Sequence, residues 1–299
     1  MSKKISISCH ALQCKYGDVE AIEIAAAAGF DGVDFNVEGY AFQPYPSKLD
    51  LPEAELEEYF GRVRDKAKEC GIKIYQTHNL CGKSYNGNPE NDKKVLYWAE
   101  RGLRINQILG CPLTVIHPTS SMVYGKDTPY EFLHSENQRM FADIIPYAEK
   151  YGVTIAMESF GVGSHTLGKS FPDMFADHEK MMREYEDLPT ENKAFCFDSG
   201  HTNCATQFGY IKPEEFVRYF GNRIKMLHLH DNDGIRDQHL VPRQGGTIDW
   251  PAVFAALDEI GYDGYYNYEV GLRYGDSLKD AVMFLGKYLR EFTDKCGKV

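Results

Sequence analysis

A (β/α)8 barrel, eight parallel strands each followed by a helix and closed into one α/β domain over residues 1–299, is the fold class this sequence predicts. Three observations carry it. Short apolar runs alternate eight times with longer amphipathic segments. The segment behind the first run, HALQCKYGD, lacks the glycine-rich phosphate loop that a doubly wound open sheet needs. No linker rich in Pro, Gly or Ser divides the chain, and barrels of this kind commonly reach 299 residues as one unit.

The eight runs are 5–9 (ISISC), 32–36 (GVDFN), 72–77 (IKIYQT), 113–117 (LTVIH), 153–158 (VTIAME), 194–198 (AFCFD), 224–230 (IKMLHLH) and 264–269 (GYYNYE). They are rich in β-branched and aromatic residues, and Gly71, Pro112 and Gly152 each stand just before one of them, as expected of buried parallel strands. Helical patterns lie between, among them DVEAIEIAAAAGF, PEAELEEYFGRVRDKAKECG, NDKKVLYWAERGLRINQILG and EFLHSENQRMFADIIPYAEKYG. Acidic residues come early in them and a glycine falls at or just past the end. Ile248, Asp249 and Trp250 read as the cap and start of a further helix.

Composition narrows the partners. Apolar residues make up 43% and charged residues 26%, values of an ordinary globular protein. With 33 Lys plus Arg against 44 Asp plus Glu, the net charge of -11 disfavours nucleic acid and anionic membranes. The eight cysteines show no paired spacing, and MSKKISISCH is neither a secretory signal nor a membrane span, so the expected location is the cytoplasm, with thiols reduced.

In such a barrel, chemistry sits at the C-terminal ends of the strands. There the runs close with Thr77 and His78, His117, Glu158, Asp198 (with His201 three residues on), His228 and His230, and Glu269. One such residue alone reads as a helix cap or a hydrogen-bonded structural group. Together, Glu158, Asp198 and Glu269 converge in the barrel mouth, where clustered carboxylates require a compensating cation. Carboxylate and imidazole without thiolate suit a divalent metal: manganese or zinc, with cobalt, magnesium or iron also admitted. After the seventh run, HLHDNDGIRDQHLVPRQGGTIDW carries Asp237 and His239 in a D-x-H arrangement, on a loop long enough to fold back over the site. Phe160, Tyr40, Tyr85 and Tyr124 fall in loops after strands, mostly as packing residues, and Lys83 is a weak candidate phosphate contact.

The motifs AMESF around Glu158, CFDSGHTN around Asp198 and His201, LHLHDND around His228 and His230, DQHLVPRQGGTIDW, and YNYEV around Glu269 stand in order along nearly the whole chain. They resemble the xylose-isomerase-like TIM barrel superfamily, which groups sugar phosphate isomerases and epimerases with the AP endonucleases of family 2, endonuclease IV among them. The resemblance implies one metal held by Glu158, Asp198, a strand-seven histidine and Glu269. His228 fits by its H-L-x-D pattern and His230 by its spacing to Arg236. It also implies that His201, Arg236, His117 and His78 contact the substrate. Against the ketose epimerases, an acidic residue expected soon after Glu158 is replaced by VGSH around Ser164. Endonuclease IV uses three metals, and His78, His117, His201, Asp237 and His239 are candidates for its further ligands, with Asp237 and His239 as possible additional metal ligands in either case.

The expected activity is that of an isomerase or epimerase of a keto sugar or related polyol, with Glu158 and Glu269 as acid and base. Two enzymatic alternatives stand beside it: a metal-dependent lyase on an oxidised sugar or glycoside, and an endonuclease IV-like phosphodiesterase. A barrel that only binds a sugar is a fourth reading, which would hold no tight metal. The expected partner is a small, unphosphorylated sugar, and barrels of this type often pair as homo-oligomers.

Overall fold

The computed structural model describes residues 3–42, 47–79, 84–164, 170–272 and 275–296. Lys83 lies outside them. Ten strands are present among these residues: β1 Ile5–Ser8, β2 Gly32–Asn36, β3 Lys73–His78, β4 Leu113–Val115, β5 Thr154–Glu158, β6 Val162–Ser164, β7 Ser170–Pro172, β8 Lys193–Asp198, β9 Ile224–His228 and β10 Tyr266–Tyr268. Eight of them form one parallel sheet in the order β10-β1-β2-β3-β4-β5-β8-β9. A parallel bridge between Leu229 and Tyr268 closes it into a barrel. The expected strands are all present, ending one to two residues early at several places, so that His117, His230 and Glu269 fall just past the strand ends. The short antiparallel pair β6–β7 behind β5 and the helix His10–Tyr16 behind β1 were not anticipated from the sequence.

Helix ends follow the capping chemistry of the sequence. Asn88 caps Pro89–Leu109 by accepting from Glu90 N and Asn91 N, and Asp249 caps Trp250–Glu259 by accepting from Ala252 N. Gly110 and Gly152 end their helices in the left-handed region. No helix of the described residues is long and apolar enough to cross a membrane.

Side chains alternate across the barrel wall. Ile155, Met157, Phe195, Phe197 and Leu227 join the large core between sheet and helices, while Val115, Ala156, Ala194, Cys196 and Met226 form a second, smaller cluster inside the barrel. Glu158, Asp198 and His228 stand two residues beyond members of the inner cluster and share its face. Two β-bulges set this phase. In β3 the register runs from Val33–Ile74 to Asp34–Gln76, skipping Tyr75; between β8 and β9 it runs from Phe195–Ile224 to Cys196–Met226, skipping Lys225. Ile74 and Ile224 therefore face the helices, and the inserted residue turns Gln76, His78, Met226 and His228 inward.

Candidate metal centre and active site

The inward-facing residues meet at the C-terminal mouth of the barrel. His228 is at the centre, fully buried: its Nδ1 lies 3.0 Å from Glu158 Oε1 and 3.2 Å from Glu269 Oε2. Its Nε2 lies 3.0 Å from Asp34 Oδ2. Glu158, Asp198, His228 and Glu269 offer ligand atoms that all lie within 4.8 Å of one another. Buried Glu158 Oε2 makes no hydrogen bond of good geometry, standing 3.3 Å from His117 Nε2 and 3.8 Å from His78 Nε2. Three carboxylates, one imidazole and a buried oxygen without a donor fit a divalent ion. Cys196 also approaches Glu158 and His228, and burial pushes its thiol up.

Asp198 serves two purposes with its two oxygens. Oδ1 accepts from His201 N at 2.6 Å as the cap of the helix Ser199–Ala205, and Oδ2 lies 3.1 Å from His230 Nε2. Ser199 Oγ donates to His230 O at 2.8 Å and ties the end of β8 to the segment after β9. Gly200 is required here: a Cβ would lie 1.9 Å from His230 Cε1.

The loop after β9 does return to the site. Asp237 Oδ2 lies 3.4 Å from His201 Nε2 and 3.1 Å from His239 Nε2, and the His239 ring stacks on His230 at 3.9 Å. Fully buried Asp231 holds the loop. Its carboxylate accepts from Arg243 N, Trp250 Nε1 and Ile248 N, while its backbone pairs in both directions with Leu240.

The two candidate histidines thus separate. His228 completes the group with three carboxylates, whereas His230 joins His239 and Glu269 in another. His78, His117 and Glu158 make a third group. Arg236 is not brought in: it is exposed and pairs with Asp233 at 2.7 Å, because the D-N-D-G turn directs it to solvent. Phe160 stacks on His117 at 4.4 Å. Tyr40, Tyr85 and Tyr124 pack instead: Tyr40 against Phe60, Tyr85 under Arg139, and Tyr124 against Phe132.

Sequence reasoning missed Asp34, Asp231 and a polar cavity of about 250 Å3 lined by His10, Asn36, Glu38, Gly39, His78 and Glu269. Asp34 had a signal, since an acid inside the apolar run GVDFN must find a buried partner. That partner is His228, with Gln76 Nε2 donating at 3.1 Å and Asn267 Nδ2 at 3.3 Å.

Electrostatics follow from the geometry. Burial would raise Asp34, but the His228 bond and charge outweigh it and hold the carboxyl below its usual range. Burial would likewise depress His201, yet Asp198, Asp237 and Glu158 hold it up to about 10. His239 is held up to about 9, where the Asp237 bond and Glu269 overcome burial. His228 is raised in the same sense by its carboxylate neighbours.

The profile of the xylose isomerase-like TIM barrel family matches residues 22–287. The chain belongs to that family. An uncharacterised protein of Methanocaldococcus jannaschii is 30% identical over 193 residues, 62% of this chain and 59% of that one. One from Sinorhizobium fredii is 27% identical over 169 residues, 54% and 48% respectively. The chain spans about half to three-fifths of the length of these curated relatives. Among solved structures, a D-tagatose 3-epimerase-like protein superposes with a TM-score of 0.67 at 23% identity, covering 97% of this chain and 99% of that one. The 3-keto-D-glucoside 4-epimerase of E. coli gives 0.73 at 16%, covering 97% and 100%. The IolI protein, with a bound zinc atom, gives 0.73 at 18%, covering 99% and 100%. These likenesses establish the shared fold.

Two predictions follow from the geometry. The raised His228 imidazole holds a proton that a metal must displace, so binding of Mn2+ or Zn2+ should release protons and weaken as pH falls. Titration calorimetry in buffers of different ionisation enthalpy reads this directly, and zero proton release at pH 7.5 contradicts it. Replacing Asp34 with Ala should lower metal affinity by about 10–100-fold by releasing the His228 ring, with the fold kept by circular dichroism; unchanged affinity would show that the ring needs no such anchor.

Proposed function

We propose that this chain is a divalent-metal-dependent isomerase or epimerase of a keto sugar or related polyol. The observation that carries the reading is the approach of two glutamates from different walls of the barrel. Glu158 ends β5 and Glu269 follows β10, and both reach His228 Nδ1, at 3.0 and 3.2 Å. A divalent ion held by Glu158, Asp198, His228 and Glu269 would polarise the substrate carbonyl and stabilise negative charge on the oxygens of an enediolate. Manganese or zinc is the proposed ion, and the same donors accept cobalt, magnesium or iron.

The protein's own groups carry the proton. One glutamate removes it from the carbon between carbonyl and hydroxyl, and the other returns it, from the opposite face for epimerisation. The sugar sits in the polar cavity beside Glu269, where Asn36, Glu38, His10 and His78 meet its hydroxyls. His201 and His117 line the opposite side through Glu158. The free cysteines among the described residues support a cytoplasmic setting.

A second reading, phosphodiester cleavage, draws on the groups beyond the central set: His78 and His117 with Glu158, and Asp237 between His201 and His239. It needs two or three ions close together.

Exchange of carbon-bound hydrogen in deuterated water, screened over free ketoses, inositol derivatives and 3-oxo-glycosides, tests the first reading. Glu158→Gln and Glu269→Gln should each lose about 10²–10⁴-fold in exchange rate, with metal content measured alongside. Normal exchange in both variants would remove the assignment. One metal per chain by elemental analysis supports sugar chemistry, and three the phosphodiesterase.

A further inference from the structure

Beside the polar cavity lies a second, larger one of about 770 Å3, between the loop after β9 and the first half of the helix Leu278–Cys296. Most of its exposed wall is apolar, from Leu240, Val241, Ala281, Phe284, Leu285 and the ring of Tyr288, with Gln238, Gln244 and Ser277 also on the lining. The Tyr288 hydroxyl is spent on Pro242 O at 2.8 Å, which leaves the ring as apolar surface. Phe284 stands at the rim, 68% exposed.

This cavity borders the catalytic mouth. His239 lines it, and the same ring offers a ligand atom within 4.8 Å of those of His230 and Glu269. Gly271, two residues past Glu269, lines it too and donates to His239 O at 2.7 Å. His239 keeps a left-handed backbone, φ 51°, held by a contact of 2.8 Å from Nδ1 to Glu269 O. With Leu240 paired to Asp231, the partition between the two cavities is preformed.

A free sugar would leave most of its hydroxyls unpaired against apolar walls. An aromatic ring does, and the volume is that of a small-molecule site. Asp280 on the lining disfavours an anion. We propose that this cavity is a subsite for the substituent of a glycoside. The substrate is then a keto sugar carrying a neutral aromatic group, with the sugar beside Glu269 and the ring against Leu240, Val241 and Phe284. The proposal rests on the keto-sugar reading of the metal centre.

The test compares binding of phenyl β-glucoside and methyl β-glucoside to the metal-loaded protein by calorimetry, independently of turnover. Phenyl should bind about tenfold more tightly or better. Ala281→Trp, which fills the cavity, and Phe284→Ser, which strips its exposed rim without touching the core, should each remove most of that advantage and leave methyl binding unchanged. No phenyl preference in the native protein, or a preference kept in both variants, overturns the subsite. Hydrogen exchange on free and phenyl-substituted keto sugars separates the two ideas. A phenyl preference without exchange on any keto sugar sinks the isomerase reading alone, and exchange on the free sugar without a phenyl preference sinks the subsite alone.

Discussion

Burial of carboxylates at one barrel mouth is the constraint on which the rest of this structure depends. Asp34, Glu158 and Asp198 are at most 1% exposed, and Glu269 stands at their edge. Ionised and unpaired, such groups would each cost several kcal/mol. The structure answers with imidazoles placed between them: His228 between Asp34 and the two glutamates, His230 against Asp198, and His201 between Glu158 and Asp237. The two bulges, Gly200 and the Asp231 anchor have one effect in common, which is to bring those rings to those oxygens.

The same arrangement makes the barrel mouth uneven. On the side of β1 to β3 it is polar and small, walled by His10, Asn36, Glu38 and His78. On the side of the loop after β9 it is apolar and large, walled by Leu240, Val241 and Phe284. Glu269 lines the first and Gly271, two residues on behind β10, lines the second. An asymmetric mouth of this kind matches a ligand with two unlike halves, and the fold alone would not produce it, since strand-end loops vary freely over one barrel scaffold.

Much of this was legible in the sequence, for reasons that can be named. The eight strands announced themselves because buried parallel strands read as continuous apolar runs, and the ends of those runs carried Glu158, Asp198, His228 and Glu269. The D-x-H of the long loop comes back to the barrel mouth, where Asp237 meets His201 and His239. What sequence could not give was phase and partner. No periodicity announces the bulges at Tyr75 and Lys225, so Ile74 and His78 read as one face when they occupy two. The resemblance implies that Arg236 contacts the substrate, but three residues away Asp233 takes its guanidinium at the surface. His228 and His230 separate only by tertiary distance, because two residues apart they point the same way.

The raised imidazoles also explain how so acidic a mouth can exist before any metal is bound. A proton on His228 or His201 supplies positive charge where the carboxylates need it. A divalent cation entering as proposed would exchange for such protons within a site already shaped. On the proposed reading folding and metal loading would be separable, unlike in small zinc domains where the ion supplies the folding energy. The larger core between sheet and helices, which contains none of these residues, carries the stability of the barrel, and the mouth is left free to be tuned for chemistry.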